Sequence, residues 1–291
     1  MSSRATFFGV CDYDLSATLS SGQAFRWCER GGAWDGVVAA RFVKLLQVAG
    51  GIRAETPAPQ HDWRWLADYL QVGADYGGII ATFPRDRPMQ AALEACRGLR
   101  LLRQDPWECL ASFICSSTKQ IVQIQEIVGL LCQRFGEPVE SDGEPRFAFP
   151  SAEQIARGTE TRLRACKMGF RAPNLLATAR RVASGETRLD QLGAMPCAEA
   201  RSALMELPGV GPKIADCVLL FAYGFQQAFP VDVWVRRALC HLYFRGRHVS
   251  VARLTRFAAS HFGAWGGYAQ QYLFHHARTT SRAAAQRARK P

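Results

Sequence analysis

A turn rich in glycine and proline carries a lysine in an unusual position. The segment Glu206–Cys217 reads ELPGVGPKIADC, and its Lys213 is one of only five lysines among 36 basic residues. The pattern predicts that this lysine lies in the first turn of a helix, where the helix dipole disfavours a cation. Because helix stability does not explain the residue, we interpret Lys213 as functional. Partial burial in a positive environment would favour its neutral amine, which is a nucleophile.

The LPGVG turn predicts two helices joined by a hairpin. Its glycines permit positive φ and let another molecule approach the backbone closely. The backbone N–H groups of Gly209, Gly211 and Lys213 would form an anion site suited to a DNA phosphate. The motif alone fits an ordinary helix–helix turn equally well.

An aspartate follows the lysine after nineteen residues. In the segment FPVDV, Asp232 is a good N-cap for the next helix and could face Lys213 across the hairpin. Taken alone, Asp232 is more simply a helix cap.

The overall charge indicates a polyanionic partner. The net charge is +11 and the pI is about 9.4, which favours nucleic acid first and an anionic membrane surface second. No apolar stretch approaches the length of a bilayer span, and the N-terminus shows no signal peptide. We therefore expect an intracellular protein with no membrane partner.

Ten widely separated cysteines leave disulfides, zinc and reduced thiols as alternatives. No C-x-x-C pair occurs, which argues against zinc, and no four cysteines at the C-terminal end have iron–sulfur spacing. Several lie inside apolar runs, so buried thiols in a reducing cytosol are the simplest interpretation. We expect no iron–sulfur cluster and no required cofactor.

Short aromatic and β-branched runs predict an antiparallel sheet in the first 60 residues. The runs are Ala24–Trp27, Trp34–Ala40 and Arg41–Val48, with Gly-Gly turns at 31–32 and 50–51, and TPAPQ at 56–60 is expected to end the pattern. From Trp63 onward the apolar period becomes helical. Further helices are predicted at about 87–97, 105–117, 119–135, 151–157, 160–166, 171–184, 198–206, 212–224, 232–245, 250–262 and 265–279.

The combination of LPGVGPKIADC with Asp232 resembles the helix–hairpin–helix DNA glycosylases that have a Gly/Pro-rich loop and a catalytic aspartate. Five further segments resemble the 8-oxoguanine branch of that superfamily. In family order they are SGQAFRW (Ser21–Trp27), LLRQDPWECL (Leu101–Leu110), FICSS (Phe113–Ser117), GFRA (Gly169–Ala172) and YAQQYLF (Tyr268–Phe274). The resemblance spans about residues 6–280.

The resemblance implies an α+β fold in three parts. Residues 1–85 would form an N-terminal antiparallel β-sheet domain, TBP-like, with a trailing helix. Residues 86–280 would form the mostly α-helical helix–hairpin–helix glycosylase domain pair with the DNA cleft. Residues 281–291 would be a basic tail. The implied protein is a monomer that acts on duplex DNA containing an oxidised purine. The Ala/Arg-rich composition separately indicates a GC-rich bacterial genome, so we expect a cytoplasmic, nucleoid-associated protein.

The implied activity is that of a bifunctional glycosylase and AP lyase of base excision repair. Lys213 would attack C1′ of a flipped-out nucleotide, expel 8-oxoguanine and form a Schiff base that permits β-elimination. An arginine stays protonated and could not do this, which explains a lysine at this position. Asp232 would stabilise positive charge developing on the sugar.

The base pocket follows from the same resemblance. Gly22 would offer its carbonyl to the N7–H of 8-oxoguanine, where guanine has only an acceptor. Cys217 and Phe274 would pack on the two faces of the base, and Gln270 would meet its Watson–Crick edge. Without the resemblance, Gly22 is a plain turn residue, Phe274 a core residue and Cys217 a buried thiol.

The resemblance also implies contacts with the DNA strands. Phe170 would act as a wedge at the opposite strand, and Arg171 would reach the base left unpaired. The hairpin has three further positions whose carbonyls are suited to a structural monovalent cation, with no catalytic metal: Met205, Leu207 and Val210.

Three departures from the family pattern concern DNA contacts. Thr118-Lys119-Gln120 replaces a run of asparagines that contacts the estranged cytosine, so Lys119 would favour phosphate. Gln123 lies where an arginine often helps to read cytosine. Trp234 replaces a histidine that contacts phosphate; its indole donates one uncharged hydrogen bond, and the residue could simply fill space.

Two rival functions remain open from the residues. A glycosylase for alkylated bases would share the hairpin and the aspartate but generally lack the lysine. A noncatalytic DNA-binding module would need only the hairpin and the basic charge.

Overall fold

The computed structural model describes residues 2–287, with side chains as far as residue 280. Its N-terminal part is a five-stranded antiparallel sheet in the order β1-β5-β4-β3-β2. The strands are β1 (Ser3–Gly9), β2 (Cys28–Arg30), β3 (Ala33–Val38), β4 (Arg41–Val48) and β5 (Gly51–Gln60).

The sheet is antiparallel as predicted, but β1, β2 and β5 lie outside the three predicted runs, and the prediction also fails at one segment and one turn. Ala24–Trp27 is not a strand but a buried connection between α1 (Leu15–Ser20) and β2. The turn between β3 and β4 is made by Ala39 and Ala40 at φ 47° and 58°. Because alanine rarely adopts positive φ, the sequence carries no signal for this hairpin.

The proposed break at TPAPQ is also wrong, since β5 runs on to Gln60. Its pairing with β4 ends at Glu55, and its pairing with β1 shifts register between Ser3 and Ala5. Pro57 and Pro59 therefore lie where the regular ladder has stopped. A missing backbone N–H costs little at such a bulge.

The rest of the chain is helical, close to the predicted ranges. The helices are α2 (Arg64–Leu70), α3 (Tyr76–Ala81), α4 (Arg87–Ala95), α5 (Pro106–Cys115), α6 (Ile121–Phe135), α7 (Ala152–Ala156), α8 (Glu160–Leu163), α9 (Ala172–Ala183), α10 (Cys197–Met205), α11 (Pro212–Val218), α12 (Val233–Tyr243), α13 (Val251–Phe262) and α14 (Gly266–Arg287). Between them lie a short hairpin of β6 (Pro138–Val139) and β7 (Arg146–Phe147), π-helical turns at Arg164–Met168 and Leu219–Tyr223, and 3₁₀ turns at Gly169–Arg171, Leu189–Ala194 and Gly263–Trp265.

Two apolar cores hold these elements. The smaller core lies between the sheet, α1 and α2, and includes Leu45, Ile52 and Leu66. The larger fills the helical part and also takes in Tyr76 and Phe83, which precede the predicted boundary at residue 85. The boundary itself stays a prediction.

The last helix continues past the predicted start of the basic tail at residue 281. It reaches Arg287, and residues 288–291 lie outside the described part of the chain. Within residues 2–287, no helix combines the length and apolarity that a membrane crossing requires.

Candidate active site

The hairpin between α10 and α11 contains two glycines with different structural roles. Gly209 has φ 79°, and a Cβ there would lie 2.7 Å from Nδ2 of Asn174 on α9. Gly211 is the N-cap of α11, and a Cβ there would meet nothing within 4 Å. The first glycine thus lets the hairpin pack closely, and the second leaves the start of α11 open to an approaching phosphate.

Polar contacts hold the hairpin on its neighbours. Arg181 on α9 donates to the carbonyl of Glu206 at 2.7 Å, and Thr178 donates to the carbonyl of Pro208 at 3.2 Å. Nη2 of Arg201 lies 2.5 Å from a carboxylate oxygen of Asp216, which joins α10 to α11. Burial raises the pKa of Asp216 to about 6, although Arg201 opposes this shift.

Lys213 lies half-buried in the first turn of α11, as predicted. Its Nζ donates to the hydroxyl of Ser116 at 3.3 Å and lies 4.9 Å from the ring centroid of Phe113. Ser116 in turn donates its own proton to the carbonyl of Phe113 at 2.7 Å. The hydroxyl therefore accepts from the amine and fixes its direction. The sequence analysis did not identify Ser116 as a site residue. The only indication in the sequence was its place in the FICSS segment.

Asp232 is the N-cap of α12, which confirms that part of the prediction. Its Oδ1 accepts from the backbone N–H of Val235 at 2.7 Å. Asp232 and Lys213 line the same cleft, but they form no ion pair in the described part of the chain. The carboxylate is thus held by the helix and keeps a face toward the cleft.

Cys217 lies one turn after Lys213 and is buried beneath the cleft. Burial raises the pKa of its thiol to about 12, and the nearby amine of Lys213 only partly offsets this. The thiol is therefore neutral at physiological pH and offers a soft, uncharged surface. The cleft wall does not include its side chain.

The cleft has a volume of about 780 Å³ and brings together residues from distant parts of the chain. The SGQ turn, the loop after α5, the start of α11, the start of α12 and one side of α14 all contribute. Six predicted site residues line it: Gly22, Lys119, Lys213, Asp232, Trp234 and Phe274.

Gly22 sits in a turn that only glycine fits. Its φ is 83°, and a Cβ there would lie 2.6 Å from Cδ1 of Ile121. The buried Gln23 fixes the turn, since its amide donates to the carbonyls of Thr18 at 2.9 Å and Arg100 at 2.8 Å and accepts from Leu102 N–H at 2.8 Å. Gln23 is a second residue whose role the sequence did not reveal beyond its place in the motif.

Replacing Gly22 by alanine should strongly weaken binding of a flipped base. The new methyl group would strain the positive φ and displace the side chain of Ile121, which lines the cleft. We expect a loss of at least about tenfold in affinity for lesion duplex, by analogy with other lost buried contacts. Binding to a duplex with a tetrahydrofuran abasic site should hardly change, because no base enters the pocket. Equal losses on both duplexes would contradict this role.

Phe274 and Gln270 share one face of α14 but differ in exposure. Phe274 lines the cleft, whereas Gln270 is only 4% exposed and lies behind the wall. Within the described residues, Oε1 of Gln270 has no hydrogen-bond partner. A buried amide with an unused acceptor is suited to a ligand that brings its own donor.

Phe170 and Arg171 lie in an irregular stretch that interrupts the helical region. Positive φ values at Lys167 and Gly169 turn Phe170 outward, and its side chain is 61% exposed. Arg171 is only 3% exposed. Its guanidinium donates to the carbonyls of Met168 and Ser117 and to the hydroxyl of Thr118. In this structure Arg171 therefore holds the loop after α5, and its contact with the unpaired base stays a prediction.

Gln123 and Trp234, two of the departures, also have defined positions. The side chain of Gln123 accepts from the backbone N–H of Gln120 at 3.0 Å, so it caps the start of α6. Trp234 is about half exposed at the cleft, next to the more exposed Val233. An exposed indole at the rim is available to pack on DNA.

The predicted cation positions lie on the hairpin. Met205 is partly exposed, while the side chains of Leu207 and Val210 are buried. The carbonyl of Leu207 already accepts from Val210 N–H at 3.1 Å and keeps one lone pair. In the range that the structure describes, no group of three or more His, Cys, Asp or Glu side chains could hold a metal ion.

Comparison with known proteins matches both parts of the chain. Residues 8–110 match the family described as 8-oxoguanine DNA glycosylase, N-terminal domain. Residues 111–258 match the HhH-GPD superfamily of base excision DNA repair proteins.

Individual relatives cover nearly the whole chain. A probable N-glycosylase/DNA lyase from Methanothermobacter thermautotrophicus is 33% identical, over 92% of this chain and 95% of the relative. The structure of MBOgg1 with a low-affinity DNA ligand has a TM-score of 0.92 at 35% identity, covering 96% and 97% of the two chains. The Clostridium acetobutylicum 8-oxoguanine glycosylase/lyase, solved with DNA containing cytosine opposite 8-oxoG, has a TM-score of 0.89 at 31% identity, covering 92% and 93%.

The family matches agree with the site that the structure shows, in which the glycine hairpin, Lys213 and the helix-capping Asp232 meet at one cleft. The chain therefore belongs to the 8-oxoguanine DNA glycosylase family of the HhH-GPD superfamily.

Proposed function

We propose that this protein is a bifunctional DNA glycosylase and AP lyase that excises 8-oxoguanine from duplex DNA. The observation that carries the proposal is the amine of Lys213 in the same cleft as Asp232, at the start of a helix launched by the glycine hairpin. A glycosylase without a covalent step needs no amine at that point. The relatives named as glycosylase/lyases support the same activity.

The first step is extrusion of the damaged nucleotide into the cleft, because its C1′ is inaccessible inside the stack. The hairpin N–H groups and Lys119 hold phosphates, and the exposed Phe170 and Trp234 pack on the distorted duplex. Phe274, which lines the cleft, stacks on the base. Cys217 and Gln270, which lie outside the cleft lining in the free protein, would meet its other face and its Watson–Crick edge once the base has entered.

The chemical step is attack by the neutral amine of Lys213 on C1′. The electron pair of Nζ forms the new N–C1′ bond while the C1′–N9 bond breaks, and the base leaves with that bond's electrons and takes up a proton. Asp232 stabilises the positive charge that develops on the sugar. Ring opening then gives the Schiff base, and loss of a 2′ proton expels the 3′ phosphate.

Recognition of the lesion rests on the carbonyl of Gly22. It accepts a hydrogen bond from the N7–H of 8-oxoguanine, whereas guanine presents a bare acceptor there and is repelled. The rigid turn around Gln23 makes this discrimination effective, since the carbonyl cannot rotate away.

The proposed enzyme requires no cofactor and acts as a monomer on chromosomal DNA at the nucleoid of a bacterial cell. A monovalent cation on the carbonyls of Met205, Leu207 and Val210 would strengthen phosphate binding without entering the reaction. We assign to Arg171 the contact with the base left unpaired on the opposite strand, beside the loop that it holds in the free protein.

A panel of duplexes tests the proposed function. It carries 8-oxoguanine opposite each of the four bases, with alkylated purines as controls. We expect base release and strand cleavage for 8-oxoguanine and neither for alkylated purines. Release of alkylated purines without strand cleavage would assign the chain to the rival class of glycosylases.

A further inference from the structure

Arg278 is a cation of the cleft wall that the proposed mechanism does not use. It lies on α14 one turn after Phe274, and its Cζ is 5.7 Å from the centroid of that ring. One end of the guanidinium, Nη2, donates to the carbonyl of Ser20 at 2.5 Å. Arg278 therefore links the helix that carries Phe274 to the segment that leads into Gly22.

The other end of the guanidinium lies beside Gly22. Nη1 is 3.7 Å from the position that a Cβ on Gly22 would occupy. Because Ser20 fixes Nη2, the planar fork also fixes Nη1 at this edge of the cleft. A rigid, charged donor thus stands beside Gly22, the residue to whose carbonyl we assign recognition of N7–H.

The chemistry of 8-oxoguanine indicates what a donor beside Gly22 could recognise. An 8-oxopurine differs from an ordinary purine at two adjacent ring atoms: it gains a hydrogen at N7 and a carbonyl oxygen at C8. A carbonyl of the protein can recognise the first change, and only a donor can recognise the second. A guanidinium donates and never accepts, so it suits the C8 oxygen and finds only a C–H in guanine.

We infer that Nη1 of Arg278 donates a hydrogen bond to the C8 oxygen of the flipped base, as a second discriminator beside the carbonyl of Gly22. The inference rests on the proposed function, because it takes the orientation of the base from the Gly22 contact. It also predicts the substrate class: 8-oxoadenine shares the same edge and makes the same contact.

Binding measurements in a Lys213→Gln background, which removes turnover, test the inference. Arg278→Ala should weaken binding to 8-oxoguanine duplex by about 10- to 100-fold, the range for loss of a hydrogen bond to a charged group. The factor should be similar for 8-oxoadenine, and a tetrahydrofuran abasic duplex should bind as before. Unchanged binding to 8-oxoguanine duplex, or an equal loss on the abasic duplex, would overturn the inference.

Two further variants separate a contact with the base from other roles of Arg278. Arg278→Lys keeps the charge but cannot reach Ser20 and the base at once, so binding should stay weak; full recovery would overturn the hydrogen-bond assignment. In a Phe274→Ala background, Arg278→Ala should still weaken binding by a similar factor. No added loss there would mean that Arg278 only holds the ring, which also overturns the inference. Thermal unfolding of each variant shows whether its fold is intact.

The inference and the proposed function fail in different ways. If the unaltered protein does not excise 8-oxoguanine, the proposed function fails. If it does excise this base and Arg278→Ala binds the lesion normally, only the role of Arg278 fails.

Discussion

Replacing Lys213 by glutamine should abolish base release and strand cleavage while DNA binding persists. Glutamine keeps a polar side chain that is one bond shorter, but the electron pair of its amide nitrogen is delocalised and is not nucleophilic. We expect the single-turnover rate of base release to fall by on the order of 10³-fold or more, as when other covalent nucleophiles are removed. Gel shift with 8-oxoguanine duplex should show binding within a few-fold of the unaltered protein.

Lys119 provides a matched control for this prediction. It is a second lysine of the same cleft, but it lies in the loop after α5 and not on α11. Lys119→Gln should weaken binding in a salt-dependent way and leave the saturated rate of base release nearly unchanged. A full rate with Lys213→Gln would contradict the assignment of the nucleophile.

Replacing Asp232 by asparagine should slow base release sharply without unfolding the protein. Asparagine can accept the hydrogen bond from Val235 N–H and so keeps the helix cap. It cannot stabilise positive charge on the sugar, and loss of one such electrostatic contact typically costs about 10²- to 10³-fold in rate. Single-turnover kinetics on 8-oxoguanine duplex, together with thermal unfolding, measure the two effects separately.

Asp232→Ala completes that comparison. It removes both the charge and the cap, so it should lose the same factor in rate and, in addition, about 1 kcal/mol of stability. If Asp232→Asn turns over normally while Asp232→Ala is destabilised, the aspartate is only a helix cap.

The parts of the site that depend on local chemistry could be predicted from the sequence. The hairpin follows from two glycines and two prolines, and Asp232 caps its helix because a short carboxylate reaches the first turn of any helix that follows it. The resemblance in SGQAFRW and YAQQYLF connected these segments to one pocket. The structure brings Gly22, Lys213, Asp232 and Phe274 to one cleft, in keeping with that connection.

What could not be predicted depends on contacts between distant segments. Ser116 orients Lys213 across 97 residues of sequence, and Arg278 reaches Ser20 across 258. Arg171 binds a carbonyl and a hydroxyl of the loop after α5, which lies more than fifty residues earlier in the sequence. No spacing rule encodes such pairs, because the fold alone makes them neighbours.

Local rules also failed where tertiary context overrides them. Two alanines form a turn with positive φ between β3 and β4, since the paired strands on both sides hold them there. The prolines of β5 are tolerated because the ladder has already ended at Glu55. Secondary-structure propensities describe how a residue type behaves on average, whereas neighbouring strands determine the conformation at these positions.

Borohydride trapping followed by peptide mapping tests the central claim most directly. Reduction during turnover on 8-oxoguanine duplex should give a stable protein–DNA adduct, and mass spectrometry of the digested adduct should place the sugar remnant on the peptide that contains Lys213. The Lys213→Gln variant should give no adduct under the same conditions. An adduct on another residue, or base release with no adduct at all, would contradict the Schiff-base mechanism.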